Sequence, residues 1–296
     1  MSRLGDDRRA REVLARGAVL HAAVDTSRGP HVTPAAYDWS GGALWMITTR
    51  DSVKVRALRR RPRAGVLIRS RRYDLVVEGE ATIVDPLHGR GITDPMTVLE
   101  LPFAGLGYLG RNSRHALAMV RDAAGPGLVL DRLVVRIEPG RAVLASGDDG
   151  EVLRVWGSWT EAGLLGAGTE SSSAGISVPT RDGLPDEVTP LLDEPGPACL
   201  AWPTVHGPIP LPAHWPGADR PAEVNAELLK VVGAKASGLA GLALSTGEYR
   251  LASKRGVLLR GEGTAVRDGA GRAWAGLDTH HLTYWVGAEA GTVSAG

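Results

Sequence analysis

Hydrophobic and polar positions alternate along this chain in short runs, and long helical stripes are few. "AVLHAAV" (from Ala18), "HVTPAAY" (from His31), "ALWMITT" (from Ala43), "AGVLIRS" (from Ala64) and "YDLVVEGEATIV" (from Tyr73) are apolar or alternating segments of strand length. Turn signals such as "SRGP" and "SGG" separate them. Before them, "DDRRAREVLARG" predicts a short helix with Ala10, Val13 and Leu14 on one face and Gly17 as its stop. Four to six short strands with one intervening helix predict a compact barrel or sandwich, not a parallel doubly wound sheet. Residues 93–125 interrupt the pattern with a helix-like insert, "SRHALAMVRDAA", after which "LVVRIEPGRAVLAS" returns to strand character.

From Glu161 to Pro197 the chain is rich in Gly, Ser, Pro and acids, which marks a linker. Beyond it the first half recurs. "GPIPLPAHW" (from Gly207) echoes "GPHVTPAAY" (from Gly29), and "VLLRGEGTAV" (from Val257) echoes "LVVEGEATIV" (from Leu75), setting Gly261 and Glu262 against Gly79 and Glu80. "LTYWVG" (from Leu282) aligns with "AVLASG" (from Ala142). The order is preserved, which predicts two copies of one barrel in tandem: residues 1–158, a linker over 159–195, and 196–296.

Composition narrows the function. Thirty-four Lys and Arg stand against 33 Asp and Glu, a formal net charge of +1, so a dedicated nucleic-acid partner is not expected. One cysteine, Cys199, excludes an intrachain disulfide and a multi-cysteine zinc site. No apolar run approaches the roughly 18 residues that span a bilayer. The N-terminus lacks the pattern of a signal peptide, so the expectation is a soluble cytoplasmic protein with a small-molecule partner and no membrane association.

The basic residues concentrate locally in "ITTRDSVKVRALRRRP", from Ile47 to Pro62. A strand ends there at Thr48 and Thr49, and Asp51 or Ser52 can cap a helix that begins near Val53. Free N–H groups at such a helix start bind anions. Hydroxyls of Thr48 and Ser52 and the charge of Lys54 would complete a cradle for a terminal phosphate. Arg50 can join it or not. Arg56, Arg59, Arg60 and Arg61 fall further along, on a solvated face.

The ordered set of a strand ending in Thr, Ser-x-Lys opening a helix, an "RPRAGVLI" strand and "VEGEA" resembles the pyridoxamine 5'-phosphate oxidase-like, FMN-binding split-barrel superfamily, over residues 8–85 and more loosely near residue 137. The resemblance implies a mainly β fold of two tandem split β-barrels with a few flanking helices. It also implies an intrachain pseudo-dimer, able to stand as a monomer, with flavin at the seam. His31, Val32 and Thr33 would lie on the strand under the ring, and Thr48, Thr49, Arg50, Ser52, Val53 and Lys54 around the phosphate. FMN is the cofactor implied first, with the deazaflavin coenzyme F-420 as the alternative. An FMN- or deazaflavin-dependent oxidoreductase follows, or else a non-catalytic split-barrel protein that sequesters a cofactor or haem. No catalytic residue is identified; Tyr37 is a proton-donor candidate by position only.

Other motifs carry less. "GLGYLG" (Gly105–Gly110) satisfies a dinucleotide fingerprint, but Pro102 precedes it and no alternating strand–helix units follow. Neither G-x-S-x-G nor H-E-x-x-H occurs. His280 and His281 are adjacent and, on a strand, face opposite ways, so they would not chelate one metal. Trp156, Trp159, Trp202, Trp215, Trp274 and Trp285 could line a ring-sized pocket or fill barrel ends.

For the second copy, the counterpart of "TTRDSVK" is expected between His214 and Lys230. There Pro221 would open the helix and Glu223 would repel a phosphate, leaving one cofactor per chain.

Overall fold

A computed structural model describes residues 4–85, 101–102, 105–108, 110–111, 131–148, 150–159, 175–178, 181–232, 240–250, 253–267, 272–287 and 289–294. Most of the expected 93–125 insert lies outside the described residues. The fold is mainly β, in two sheets with few helices.

The first helix, α1 (Arg8–Arg16), forms where the spacing predicts it. Asp7 caps it, accepting from the backbone N–H of Arg9 at 2.8 Å and Ala10 at 3.0 Å, and Ala10, Val13 and Leu14 are buried. The N-terminal sheet then comprises β1 (Leu20–Thr26), β2 (Gly29–Ala35), β3 (Tyr37–Ser40), β4 (Ala43–Thr49), β5 (Arg63–Arg69), β6 (Tyr73–Val84), β7 (Arg132–Ser146) and β8 (Val152–Trp156). Its order is β2-β1-β5-β6-β7-β4-β3, with β8 beside β7. Only Ala36 separates β2 from β3, so the chain itself joins the two ends of the sheet. Helix α2 (Val53–Arg60) bridges β4 and β5.

A short helix, α3 (Pro190–Asp193), precedes the C-terminal sheet: β9 (Gly196–Thr204), β10 (Gly207–Trp215), β11 (Ala222–Val224), β12 (Ala240–Arg250), β13 (Ser253–Arg267), β14 (Ala273–Val286) and β15 (Glu289–Ser294). Helix α4 (Ala226–Val231) lies between β11 and β12. Here β11 pairs with both β10 and β14, closing the ring through hydrogen bonds. With β9, β10, β11, β12, β13, β14 and β15 in the places of β1, β2, β4, β5, β6, β7 and β8, the strand order is the same in both sheets.

The agreement extends to atoms. The β1–β2 turn pairs Thr26 with Gly29, and Thr26 Oγ1 donates to the Gly29 carbonyl at 2.7 Å while accepting from Arg28 N at 3.2 Å. In the β9–β10 turn, Thr204 pairs with Gly207 and makes the same two bonds at the same two lengths, to the Gly207 carbonyl and from His206 N. Both glycines have positive φ, 87° and 125°, which is why "GP" recurs. Each β6–β7 or β13–β14 pair shifts register once, at Glu78/Gly79 and at Arg260/Gly261. The "GE" repeat therefore marks a bulge.

Two apolar clusters organise the packing. One fills the interior of the N-terminal sheet with Leu20, Ala22, Val24, Leu75, Val77 and their neighbours. The other joins the outward-facing Ala23, Val32, Leu67, Val76 and Val143 of that sheet to the body of the C-terminal half. The alternation along β6 decides membership: Leu75 and Val77 face in, and Val76 faces the other half. At Gly65 the approach is so close that a Cβ would overlap the Pro208 carbonyl and crowd the Pro210 ring. The described part of the Gly/Ser/Pro-rich stretch also joins this core: Ile176, Val188 and Leu192 are buried, and Ala218 N donates to the Leu192 carbonyl at 2.8 Å.

At the two bulge glycines a side chain has no room, because a Cβ at Gly79 would overlap the Glu138 carbonyl and one at Gly261 the Asp278 carbonyl. Gly79→Ala and Gly261→Ala should each cost roughly 1–3 kcal/mol, the range for overpacking. Urea unfolding should show both losses; a neutral result at either glycine would mean that bulge is not tightly packed.

Candidate functional site

The site is built where β4 gives way to α2. After Thr49 the chain turns, with Ser52 N donating to the Thr49 carbonyl at 3.1 Å. Ser52 is the N-cap, its Oγ accepting from Val55 N at 3.2 Å. Thr48, buried, donates its hydroxyl to the same Oγ at 3.1 Å. Ser52 thereby accepts twice and keeps its own proton free to donate. Thr49 alternates to the opposite strand face from Thr48. Val53 opens the helix, half-buried, and Arg56, Arg59, Arg60 and Arg61 are exposed, Arg61 pairing with Asp25.

Lys54, in the first turn, reaches back over β2. Its ammonium donates to Thr33 Oγ1 at 2.5 Å, and burial alone lowers its pKa to about 8. No carboxylate lies within ion-pair distance of it among the described residues. His31, two residues before Thr33 on β2, is buried with Nδ1 unpartnered. Burial, then the charges of Lys54 and of Arg260 from the C-terminal half, push its pKa down to about 3. So the fold brings Thr33, His31, Thr48 and Ser52 together around the Lys54 ammonium, which has no counter-ion among the described residues.

Two expected contributors are otherwise engaged. Arg50 donates to both oxygens of the buried Asp85, at 2.6 and 3.3 Å. Val32 is fully buried in the core shared by the two halves. Tyr37, proposed by position as a proton donor, is a structural post. Its hydroxyl donates to the Leu14 carbonyl at 3.0 Å and accepts from Arg111 at 2.8 Å. Burial raises its pKa to about 12. Arg111 stacks 4.2 Å over the same ring and binds the Gly17 carbonyl at 2.6 Å, finishing the C-terminus of α1. In "GLGYLG", residues 105–108 are helical and Tyr108 is buried.

Sequence reasoning missed the cavity at the seam. About 330 Å³ of space is lined by Val19, His21, Pro34 and Arg69 on one side and by residues including Ser245 and Trp285 on the other. His21 is neutral there, its pKa lowered to about 4 by burial and then by Arg69 and Lys54. Pro34 follows Thr33 on β2, and the charge of Lys54 is felt by His21 in the cavity lining. The signal was present in the repeat, which sets Pro34 against Pro212, but the facing wall comes from a strand more than 160 residues away.

The counterpart in the second half differs from expectation. Pro221 does not open a helix: residues 222–224 form β11, and α4 starts only at Ala226, capped by Asn225. Three-residue pairing with β14 prevails over the helix-start signal of a proline. Asn225 Oδ1 accepts from Leu228 N at 2.9 Å, and Nδ2 donates to the Gly150 carbonyl at 2.9 Å. Counted from the caps, Lys54 and Glu227 occupy the same position. A cavity of about 440 Å³ beside α4 includes Asp148, Glu223 and Glu227 in its lining.

No family model matches the chain, and no curated protein matches it. Solved structures similar to part of it include an F420 reductase, 22% identical, over 45% of this chain and 94% of that one, with a TM-score of 0.31. An FAD-binding protein from Mesorhizobium loti is 20% identical, over 45% of this chain and 89% of that one, at 0.34. A pyridoxamine 5'-phosphate oxidase-related, FMN-binding protein from Nostoc punctiforme is 13% identical, over 48% of this chain and 87% of that one, at 0.31. Each is similar to about half of the chain.

The buried histidines predict a pH dependence. Both have folded-state pKa values below the ordinary 6.5, so below about pH 6.5 the unfolded chain binds more protons and stability falls, down to about pH 4 for His21 and about pH 3 for His31. Asp38 and Asp74, whose carboxyls burial raises, act in the opposite sense. Urea midpoints at about pH 7 and about pH 5 should therefore drop less in His31→Gln than in the parent protein. An equal drop would show that His31 is not held neutral.

Proposed function

We propose that the N-terminal half binds the phosphate of a flavin-type nucleotide, FMN first and a deazaflavin second, in an oxidoreductase acting on a small molecule. The observation that carries this is Lys54: a largely desolvated ammonium at a capped helix start, hydrogen-bonded to a neutral hydroxyl and with no carboxylate at ion-pair distance among the described residues. Leaving a half-buried charge without a counter-ion is unfavourable, and an incoming phosphate removes that penalty. The residues fit such a group. Lys54 supplies the charge, Ser52 its free O–H, Thr33 and Thr48 the hydroxyls that hold those two in place, and α2 the positive end of its dipole.

The resemblance of residues 8–85 to the FMN-binding split-barrel superfamily supports the same assignment, with two tandem copies forming the pseudo-dimer. When bound, a flavin supplies hydride chemistry, and the chain's part is to position it and exclude water. His21 and His31 stay neutral across the physiological range, so they can offer hydrogen bonds without adding charge. We further propose one cofactor per chain, because Glu227 stands where Lys54 does and a carboxylate there repels phosphate. A protein that only sequesters the cofactor, or haem, would use the same seam.

Lys54→Met should weaken FMN roughly tenfold to a hundredfold, the loss of a charge-assisted hydrogen bond of about 1.5–3 kcal/mol. The ligand-free variant should unfold no earlier than the parent. Fluorescence titration should saturate near one FMN, or one deazaflavin, per chain. Unchanged affinity in folded Lys54→Met would move the phosphate site elsewhere. Reduction of the bound flavin by a nicotinamide nucleotide, then reoxidation by substrate, separates an enzyme from a carrier.

A further inference from the structure

The two halves share a bulge and carry opposite charge beside it. In the N-terminal sheet, Glu78 lies directly across from Arg141. Its buried carboxylate accepts from Arg141 Nε at 2.7 Å and from Arg63 at 3.1 Å. The carboxylate there is fully compensated by two guanidiniums. Counting from the bulge glycines, the equivalents of Glu78 and Arg141 are Arg260 and His281, again directly opposed. Arg63 pairs with Glu80, and Gly241 pairs with the equivalent Glu262, so Gly241 takes the place of Arg63. Where one half has a carboxylate held by two guanidiniums, the other has a guanidinium facing an imidazole.

Directly opposed residues on antiparallel strands project to the same face. Arg260 and His281 therefore stand side by side, and β13 packs against β2. The tip of the β1–β2 turn adds a third basic group, Arg28, whose charge contributes to lowering the pKa of both Arg260 and His281 after burial does so. Arg260 Nε is buried and has no hydrogen-bond partner. Among the described residues no carboxylate pairs with Arg28, Arg260 or His281. Among the described residues His281 Nδ1 meets the Ser294 hydroxyl, at 3.0 Å. A buried guanidinium N–H with no acceptor, beside the like charge of Arg28, is what a missing anion leaves behind.

We propose that Arg260, with His281 and Arg28, forms an anion-binding subsite on the C-terminal half that takes a carboxylate or phosphate group. It is separate from the Lys54 site, with His31 coupled to both. The oxyanion can belong to an outlying part of the cofactor itself or to an anionic substrate. The subsite does not depend on which cofactor binds, or on whether Lys54 holds a phosphate.

Citrate at constant ionic strength is the probe, with the thermal midpoint of the full chain as the readout. The parent should gain midpoint with citrate beyond the general effect of an excluded salt, and Arg260→Gln should lose that extra gain. Arg260→Glu, which rebuilds a carboxylate opposite His281, should melt higher than the parent without citrate and lack the extra response. Lys54→Met should keep the Arg260-dependent part, which separates this test from that of the phosphate site. The same citrate response in the parent and in Arg260→Gln, or none in the parent, overturns the proposal. Arg260→Gln carries that test even if Arg260→Glu does not fold. Flavin titrations then assign the source. An anion of the cofactor predicts that Arg260→Gln weakens FAD, or a deazaflavin bearing carboxylates, roughly tenfold to a hundredfold while sparing FMN. An anion of the substrate predicts that all three bind as in the parent.

Discussion

The N-terminal sheet has to bury two faces. Its interior is filled in the ordinary way of a closed sheet, but the outward side chains of β1, β2, β5, β6 and β7 are also removed from water by the C-terminal half. Everything near the candidate site follows from that contact. Because β2 is pressed between its own interior and the other half, His31 is stripped of water, and Lys54, which reaches over β2 to Thr33, is half-buried beside it. The seam cannot slip by one residue without sending Val32 and Val76 into the barrel and Leu75 and Val77 out of it.

This double burial explains what could be read from the sequence. A strand buried on one face alternates; one buried on both reads as a continuous apolar run, and "DLVV" or "GVLI" is such a run. The glycine repeats were legible because they answer to backbone needs: positive φ at Gly29 and Gly207, and no space for a Cβ at Gly79 and Gly261. The Ser52 cap and the lysine beside it were legible for a similar reason, since helix starts are specified locally. What could not be read depends on contacts between distant segments. Nothing local says that Asp85 occupies Arg50, that Arg111 and Leu14 occupy the Tyr37 hydroxyl, or that β14 pairs with residues 222–224 and so delays α4. The Pro221 signal was real, but it was local, and a three-residue strand closing the ring outweighed it.

The two halves are alike where the backbone is constrained and unlike where charge is. Turn bonds agree to a tenth of an ångström, and the bulges fall at equivalent glycines. Yet Lys54 faces Glu227 across the repeat, and Glu78 with Arg141 faces Arg260 with His281. Packing explains the first set, because a shared seam requires shared strand geometry. It does not explain the second, because a carboxylate held by two guanidiniums gives way to a guanidinium with a buried N–H and no carboxylate among the described residues.

Both departures have the same sign at the seam. In the N-terminal half the helix start carries a cation with no carboxylate partner among the described residues; in the C-terminal half the bulge does. These positions belong to different halves, and β2, bearing His31, lies near both of them. Carrying both halves in one chain makes such a distribution possible. In a symmetric dimer any uncompensated charge is duplicated, so one cation would bring a second at the equivalent place. Within a single chain, one helix start can remain basic while the other becomes acidic, and one bulge can keep its ion pair while the other opens. Among the described residues, the charge left without a carboxylate therefore falls once in each half, close to β2, and is not duplicated as symmetry would require.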